Sequence, residues 1–318
     1  MSFDWGGRSS MQRIVLHEVG PRDGLQVEKA IVPTGQKEAW IRGLLAAGID
    51  LVQAGSFVHP EKIPQMADSD ALIRGLVDSG VAPGRLSGLV LNEKGLDRAL
   101  ASGVGMVCMG VSASDTHSRK NTGMGTDEAT VRIVQAARKA VEAGREVQVS
   151  VQSAFGCGFE GPVPAERVLS IVRAYTEAGL THISLADTAG HAWPEQVERL
   201  YAAVAKAAPE ADLACHFHDT YGTGMANVYA ALRTGVTSFD SSFAGLGGCP
   251  FTKVAAGNVA TEDLVHAFQR EGRRTDIDLA QLIVVARSVA AFFGREMPGR
   301  VQKTGPVASK PAPVEAGR

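Results

Sequence analysis

The sequence predicts an α/β fold, a closed (β/α)8 TIM barrel with extra C-terminal helices, and three observations carry that expectation. Eight strand-like apolar runs recur along the chain, stretches of helical apolar spacing lie between them, and glycines stand where several helices hand over to the next strand. The runs are 14–19, 49–52, 86–91, 106–111, 147–151, 182–185, 213–217 and 236–239. Helical spacing between them is seen in Ala39, Ile41, Leu44 and Leu45, in Val131, Ile133, Val134 and Val141, and in Val197, Leu200, Tyr201 and Val204. Gly48, Gly103, Gly144, Gly179 and Gly235 are the expected left-handed residues that close helices. Near-continuous apolar strands alternating with helices imply a parallel sheet, and eight βα units in roughly 240 residues imply a closed barrel rather than an open doubly wound sheet. No GxGxxG follows the first run, which weighs further against the open sheet. Past Asn258 the pattern predicts a helix opened by a Thr261 cap with acids in its first turn, then a second helix over about 276–294. Residues 1–12 are expected to be loose, 13–295 to form the barrel and its C-terminal helices, and the Pro/Ala-rich 296–318 to be a flexible tail.

Composition narrows the function. Across 318 residues, 32 Lys and Arg balance 34 Asp and Glu for a net charge of −2, so no global field recruits nucleic acid or an acidic membrane. The four cysteines, Cys108, Cys157, Cys215 and Cys249, form no CxxC pair, which argues against a disulfide framework or zinc knuckle and for a reducing, cytoplasmic setting. No apolar run approaches the ~20 residues of a membrane span, so a soluble protein is expected.

In a barrel of this kind the reactive groups gather at the C-terminal ends of the strands. The first run ends in Glu18-Val-Gly-Pro-Arg22-Asp23-Gly-Leu-Gln26 and the seventh in His216-Phe-His218-Asp-Thr-Tyr-Gly222. Two residues apart on a strand, His216 and His218 share a face, which is geometry for a metal; the alternative is a pair of hydrogen-bonded core histidines. Asp23 and Asn258 can add oxygen donors, because the first, seventh and eighth strands are neighbours around a closed barrel. That mixed set suits an octahedral divalent cation such as Mg²⁺ or Mn²⁺ better than a structural Zn²⁺ site. Arg22 offers a fixed charge for an enolate or thioester carbonyl, or else a salt bridge that holds its loop. After the eighth strand, Ser242-Phe-Ala-Gly-Leu-Gly-Gly-Cys249-Pro250 reads as a loop able to bring Cys249 over the site, or as a phosphate-gripping turn.

Taken together, these segments resemble the 3-hydroxy-3-methylglutaryl-CoA lyase family of the metal-dependent lyase and acyltransferase barrel superfamily. The resemblance covers roughly residues 13–295 and includes 55–58, 64–66, Lys120-Asn121, 155–161, 184–188, Ala244-Gly-Leu-Gly-Gly-Cys-Pro250 and 257–265. It implies retro-Claisen cleavage of a 3-hydroxyacyl-CoA to acetyl-CoA and a keto product, with a metal on Asp23, His216, His218 and Asn258. Arg22 would stabilise the enolate, Cys249 would sit on the closing loop, and Asp187 would lie in or just behind the site. The base is left open among His216, Asp23 and a metal-bound water. A homo-oligomer, a dimer, is also what the family leads one to expect. Two positions depart from the family pattern: Gln53 replaces a Glu, and Ser150-Val-Gln-Ser153 replaces Tyr-Val-Ser-Cys, which enlarges and re-polarises the acyl pocket. Those changes point to a related but different acyl group. His117 and His191 are further candidate contacts or exposed loop histidines. The competing readings are a condensing acyltransferase of isopropylmalate-synthase type, disfavoured by Leu25 where a Glu is expected and by the lack of a long C-terminal domain, and a non-catalytic acyl-CoA-binding barrel.

Overall fold

Eight parallel strands close in chain order, each hydrogen-bonded to the next and β8 back to β1. The computed structural model describes residues 13–248 and 257–307. The strands are β1 (Val15–Glu18), β2 (Leu51–Ser56), β3 (Leu86–Leu89), β4 (Met106–Ser112), β5 (Glu146–Gln152), β6 (His182–Asp187), β7 (Asp212–Phe217) and β8 (Ser238–Ser241). Around them run α1 (Thr34–Ala46), α2 (Ser69–Asp78), α3 (Glu93–Ser102), α4 (Asp115–Thr122), α5 (Thr126–Glu142), α6 (Ala165–Glu177), α7 (Pro194–Ala207) and α8 (Gly224–Arg233). The five glycines expected to close helices all have positive φ, between +75° and +99°. Each ends its helix where an L side chain would be strained.

Two layers of different chemistry result. Outward strand faces and inward helix faces form one continuous apolar core, in which Val52, Val107, Val149, Leu185 and Phe239 are fully buried. Inside the barrel the apolar filling is thin: Leu51, Met106 and Cys108 make a small separate cluster. The other interior positions are polar, among them His17, Gln53, Ser87, Gln148, Ser184, His216 and Asp240, all buried. A strand alternates faces every residue, so polar residues at every second position mark a barrel whose centre is built for chemistry.

Several expectations need correction. β2 begins two residues later than its apolar run and extends to Ser56, because Asp50 is taken up below it by Arg13, Arg274 and the Leu16 amide. β8 is displaced toward Ser241 for a related reason: its inward residues, Ser238 and Asp240, are polar, so hydrophobicity misplaced it. Thr261 is not a cap. It is the first residue of α9 (Thr261–Arg270), and its hydroxyl donates to Glu18 Oε2 at 2.6 Å. Helix α10 (Leu279–Phe293) is capped instead by Asp278, which accepts the Gln281 amide. The expected tail does not start at 296: Met297 is buried, and α11 (Val301–Thr304) packs Val301 inward with the Asp263 carboxylate accepting its amide at 2.6 Å. His117 is no exposed loop residue either, but a buried residue of α4, whose N-terminus is capped by Ser114.

Candidate active site

At the C-terminal mouth, the chain after β1 makes a wide π-helical turn over Gly20–Gly24, with Pro21 at its start and Arg22 and Asp23 projecting from it. Such turns are rare and concentrate at functional positions. The flanking glycines are dictated by contact: a Cβ on Gly20 would fall 2.6 Å from Glu18 Oε1, and one on Gly24 would fall 2.8 Å from the Leu246 Cβ. Neither contact is tolerable. The turn thus lies directly against the segment that follows β8.

Asp23 meets the end of β7. One ligand atom from each of Asp23, His216 and His218 can be chosen so that all lie within 4.8 Å of one another, the three side chains being buried. His216 Nε2 and His218 Nε2 are 3.0 Å apart, and they stand 4.0 Å and 3.7 Å from Asp23 Oδ2. Asn258 donates from Nδ2 to that same oxygen at 2.8 Å, while its buried Oδ1 finds no hydrogen-bond partner among the described residues. A carboxylate, two imidazoles and an orphaned amide oxygen are the hard-oxygen and nitrogen donors a divalent cation takes. Glycine at 247 makes the approach possible, since a Cβ there would lie 2.5 Å from Asn258 Nδ2.

Arg22 completes this edge. Its Nη1 donates to Asp23 Oδ1 at 2.5 Å and its Nε donates to Gln53 Oε1. Gln53 stands where the ladder between β2 and β3 slips register before Gly55, and such irregularities re-aim side chains beside functional sites. Burial alone would raise the Asp23 carboxyl, but Arg22, His216, His218 and the Asn258 amide together hold it down at about 2. It is therefore ionised at neutral pH. Burial, with the neighbouring His216, lowers His218 to about 4, whereas Asp240 and Asp23 outweigh burial at His216 and raise it.

These groups open onto a cavity of about 940 Å³. Part of the lining is apolar, with Val58, Ile63, Leu89, Leu91 and Met109; the part at and just after β5 and β6 is neutral and polar, with Gln148, Ser150, Gln152, Ser184 and Thr188. Ser150 donates to the Met109 carbonyl at 3.3 Å. Of the residues singled out from sequence, Arg22, Asp23, Gln53, His117, Ser150, His216 and His218 line this cavity together, and Asn258 abuts it through Asp23. Asp187 does not line it. Fully buried, its carboxylate accepts the amides of His191 at 2.8 Å and Ala192 at 3.0 Å and braces the turn after β6, and burial raises it to about 6. Cys249 lies outside the described residues.

Three groups were not singled out from sequence. Asp240 on β8 stands level with both His17 and His216, to which it is register partner. Glu18 and Glu262 are buried behind the turn. Glu18 accepts the amides of Gly20 and Phe243, and Glu262 accepts that of Ala244, a residue with φ of +57°. Desolvation pushes Glu18 up to about 7 and Glu262 to about 8. An acid immediately after the apolar run 236–239, where barrel sites gather, is the signal that would have found Asp240.

A family model described as HMGL-like matches residues 13–289. The hydroxymethylglutaryl-CoA lyase of Bacillus subtilis is 38% identical over 290 residues, covering 91% of this chain and 96% of that protein. The (R)-citramalyl-CoA lyase of Chloroflexus aurantiacus is also 38% identical, over 305 residues that cover 93% and 96% of the two chains. Among solved structures, an HMG-CoA lyase of Acinetobacter baumannii in complex with coenzyme A and 3-methylmalate superposes with a TM-score of 0.86 at 36% identity, covering 95% of this chain and 98% of that one. The chain belongs to the HMG-CoA lyase family and is an enzyme of its carbon–carbon lyase type.

Proposed function

We propose that the protein is a divalent-metal-dependent lyase that cleaves 3-hydroxy-3-methylglutaryl-CoA or a closely related 3-hydroxyacyl-CoA to acetyl-CoA and acetoacetate or another keto product. The observation that carries this reading is the convergence of Asp23, His216, His218 and the orphaned Asn258 Oδ1 beside Arg22 at the edge of one deep cavity. In the reaction the carbinol hydroxyl loses its proton, its oxygen becomes a ketone, and the bond between C2 and C3 breaks. The released electron pair passes to the thioester as an enolate, which is then protonated at C2.

Asp23, His216, His218 and Asn258 would hold the cation. A bound Mg²⁺ or Mn²⁺ supplies Lewis acidity toward the carbinol oxygen and a substrate carboxylate. Arg22, fixed by Gln53 and Asp23, keeps a permanent positive charge where the enolate oxygen develops, and preorganised charge of this kind contributes several kcal/mol in a closed site. The base that takes the carbinol proton is His216, Asp23 or a metal-bound water. Leu246–Gly248 roof the site, and Cys249 would follow on a loop that closes it to water. The enzyme is further proposed to be a cytoplasmic homo-oligomer; among the described residues no helix is long and apolar enough to cross a membrane.

Equal identity to lyases of two different acyl groups leaves the acyl chain to Gln53 and Ser150. Both line the cavity, so a longer or differently substituted 3-hydroxyacyl group is the specific variant they favour. The test is acetyl-CoA release from 3-hydroxy-3-methylglutaryl-CoA and a panel of longer thioesters with Mg²⁺ or Mn²⁺. Release from any member supports the lyase. Free CoA formed from acetyl-CoA and a keto acid would mean a condensing enzyme, and tight binding without turnover a silent barrel.

A further inference from the structure

Beneath the candidate cation site, one carboxylate sits between two imidazoles. Asp240 is register partner to His216 on β7 and to His17 on β1, so three neighbouring strands bring the three side chains to one level of the barrel interior. Asp240 Oδ2 is 3.1 Å from His216 Nδ1, and Asp240 Oδ1 is 3.2 Å from His17 Nδ1. On its far side His17 Nε2 meets Ser87 Oγ at 2.7 Å. All four residues are at least nine-tenths buried.

We propose that Asp240 is a positioning residue for the cation site: by accepting a hydrogen bond from His216 Nδ1–H it presents His216 Nε2 toward Asp23, while its other oxygen lies beside His17 Nδ1 without a hydrogen bond. A neutral imidazole has one N–H and one lone pair, so what the rear nitrogen does decides what the front nitrogen offers. His216 is oriented from behind. His218 is not, since its Nδ1 finds no hydrogen-bond partner among the described residues. The two histidines are therefore unequal: one is preset by the protein, and the other is free to be set by whatever lies in front of it. Carboxylates behind ligand histidines typically strengthen cation binding 10–100-fold.

The inference rests on the metal-dependent reading above, and its test separates the two. Selective ¹⁵N-histidine NMR on the metal-free protein should find the His216 Nδ1 protonated. Mn²⁺ titration by calorimetry should then find Asp240→Ala weaker by roughly 10–100-fold and Asp240→Asn, which keeps an acceptor, within a few fold of wild type. If wild type binds no Mn²⁺, the metal reading fails while the NMR still decides the role of Asp240. An His216 ring carrying its proton only on Nε2 overturns the proposal, as does an Asp240→Ala protein that binds Mn²⁺ as tightly as wild type. The wild-type NMR result stands even where Asp240→Ala does not fold.

Discussion

Replacing Glu18 by Gln should stabilise the metal-free barrel at pH 8 relative to pH 4.5. Glu18 is fully buried, and desolvation outweighs the hydrogen bonds from Thr261, Phe243 and Gly20 to raise it from 4.5 to about 7. An acid whose proton affinity is higher folded than unfolded favours the fold while protonated. Its unfolded form gives up the proton first, so stability is lost as pH rises from about 4.5 and the loss levels off above about 7. A shift of about 2.5 units at 1.36 kcal/mol each amounts to about 3 kcal/mol. Gln fits the same bonds: its oxygen can keep the Gly20 and Phe243 amides, at 2.7 and 3.0 Å, while its NH2 faces Thr261 Oγ1, whose hydroxyl can turn to Ser241 at 2.8 Å. Thermal unfolding of both proteins from pH 4.5 to 8 at fixed salt is the assay. The Glu18→Gln curve should gain on wild type by roughly 5–10 °C across that range and run parallel beyond it. Parallel curves throughout would refute the reasoning, because Glu18 would then titrate alike in both states. Glu18→Ala also removes the pH dependence but leaves two amides and a hydroxyl without their acceptor, and so should lower stability at every pH.

Other perturbations address the site. His218→Ala should abolish Mg²⁺-dependent turnover while metal-free stability changes by no more than about 2 kcal/mol; full activity would remove it from the ligand set. Gln53→Glu places a negative charge against Arg22 and close to the site, and calorimetry should find Mn²⁺ held roughly tenfold tighter, since one screened charge contributes about 1.4 kcal/mol. Ser150→Tyr fills the polar wall. It should lower kcat/KM for each added methylene of a 3-substituent by roughly fourfold, at ~0.8 kcal/mol per group, while sparing the methyl substrate.

Much of this was legible in the sequence, and the reason is local. Glycines that end helices advertise their conformation, and His216-Phe-His218 advertises a shared face. What escaped was set by partners distant in sequence. Apolar content placed β8 at 236–239, but its hydrogen bonds depend on β1 and β7, and its inward residues are the polar Ser238 and Asp240. Thr261 looked like a helix cap because it precedes two acids; Glu18, 243 positions away, claims its hydroxyl. Asp187, which the resemblance placed in or just behind the site, stands behind it, its carboxylate taken up by two amides of its own turn. Strand ends identify candidates, and only tertiary neighbours separate those that face substrate from those that hold the frame.

The seam between β8 and β1 makes the site a reporter of completed synthesis. Asp23 leaves the ribosome early, and its partner Asn258 stands 235 positions later, so closing the ring from β8 to β1 carries the largest loop entropy of any strand pairing in the fold. A nascent chain that stops before β7 holds one carboxylate and no imidazole to set beside it. Because cation would bind only the closed ring, its presence should pull the last strand into register by mass action and penalise any partly open barrel. Assembly would thus end at the same place where chemistry begins.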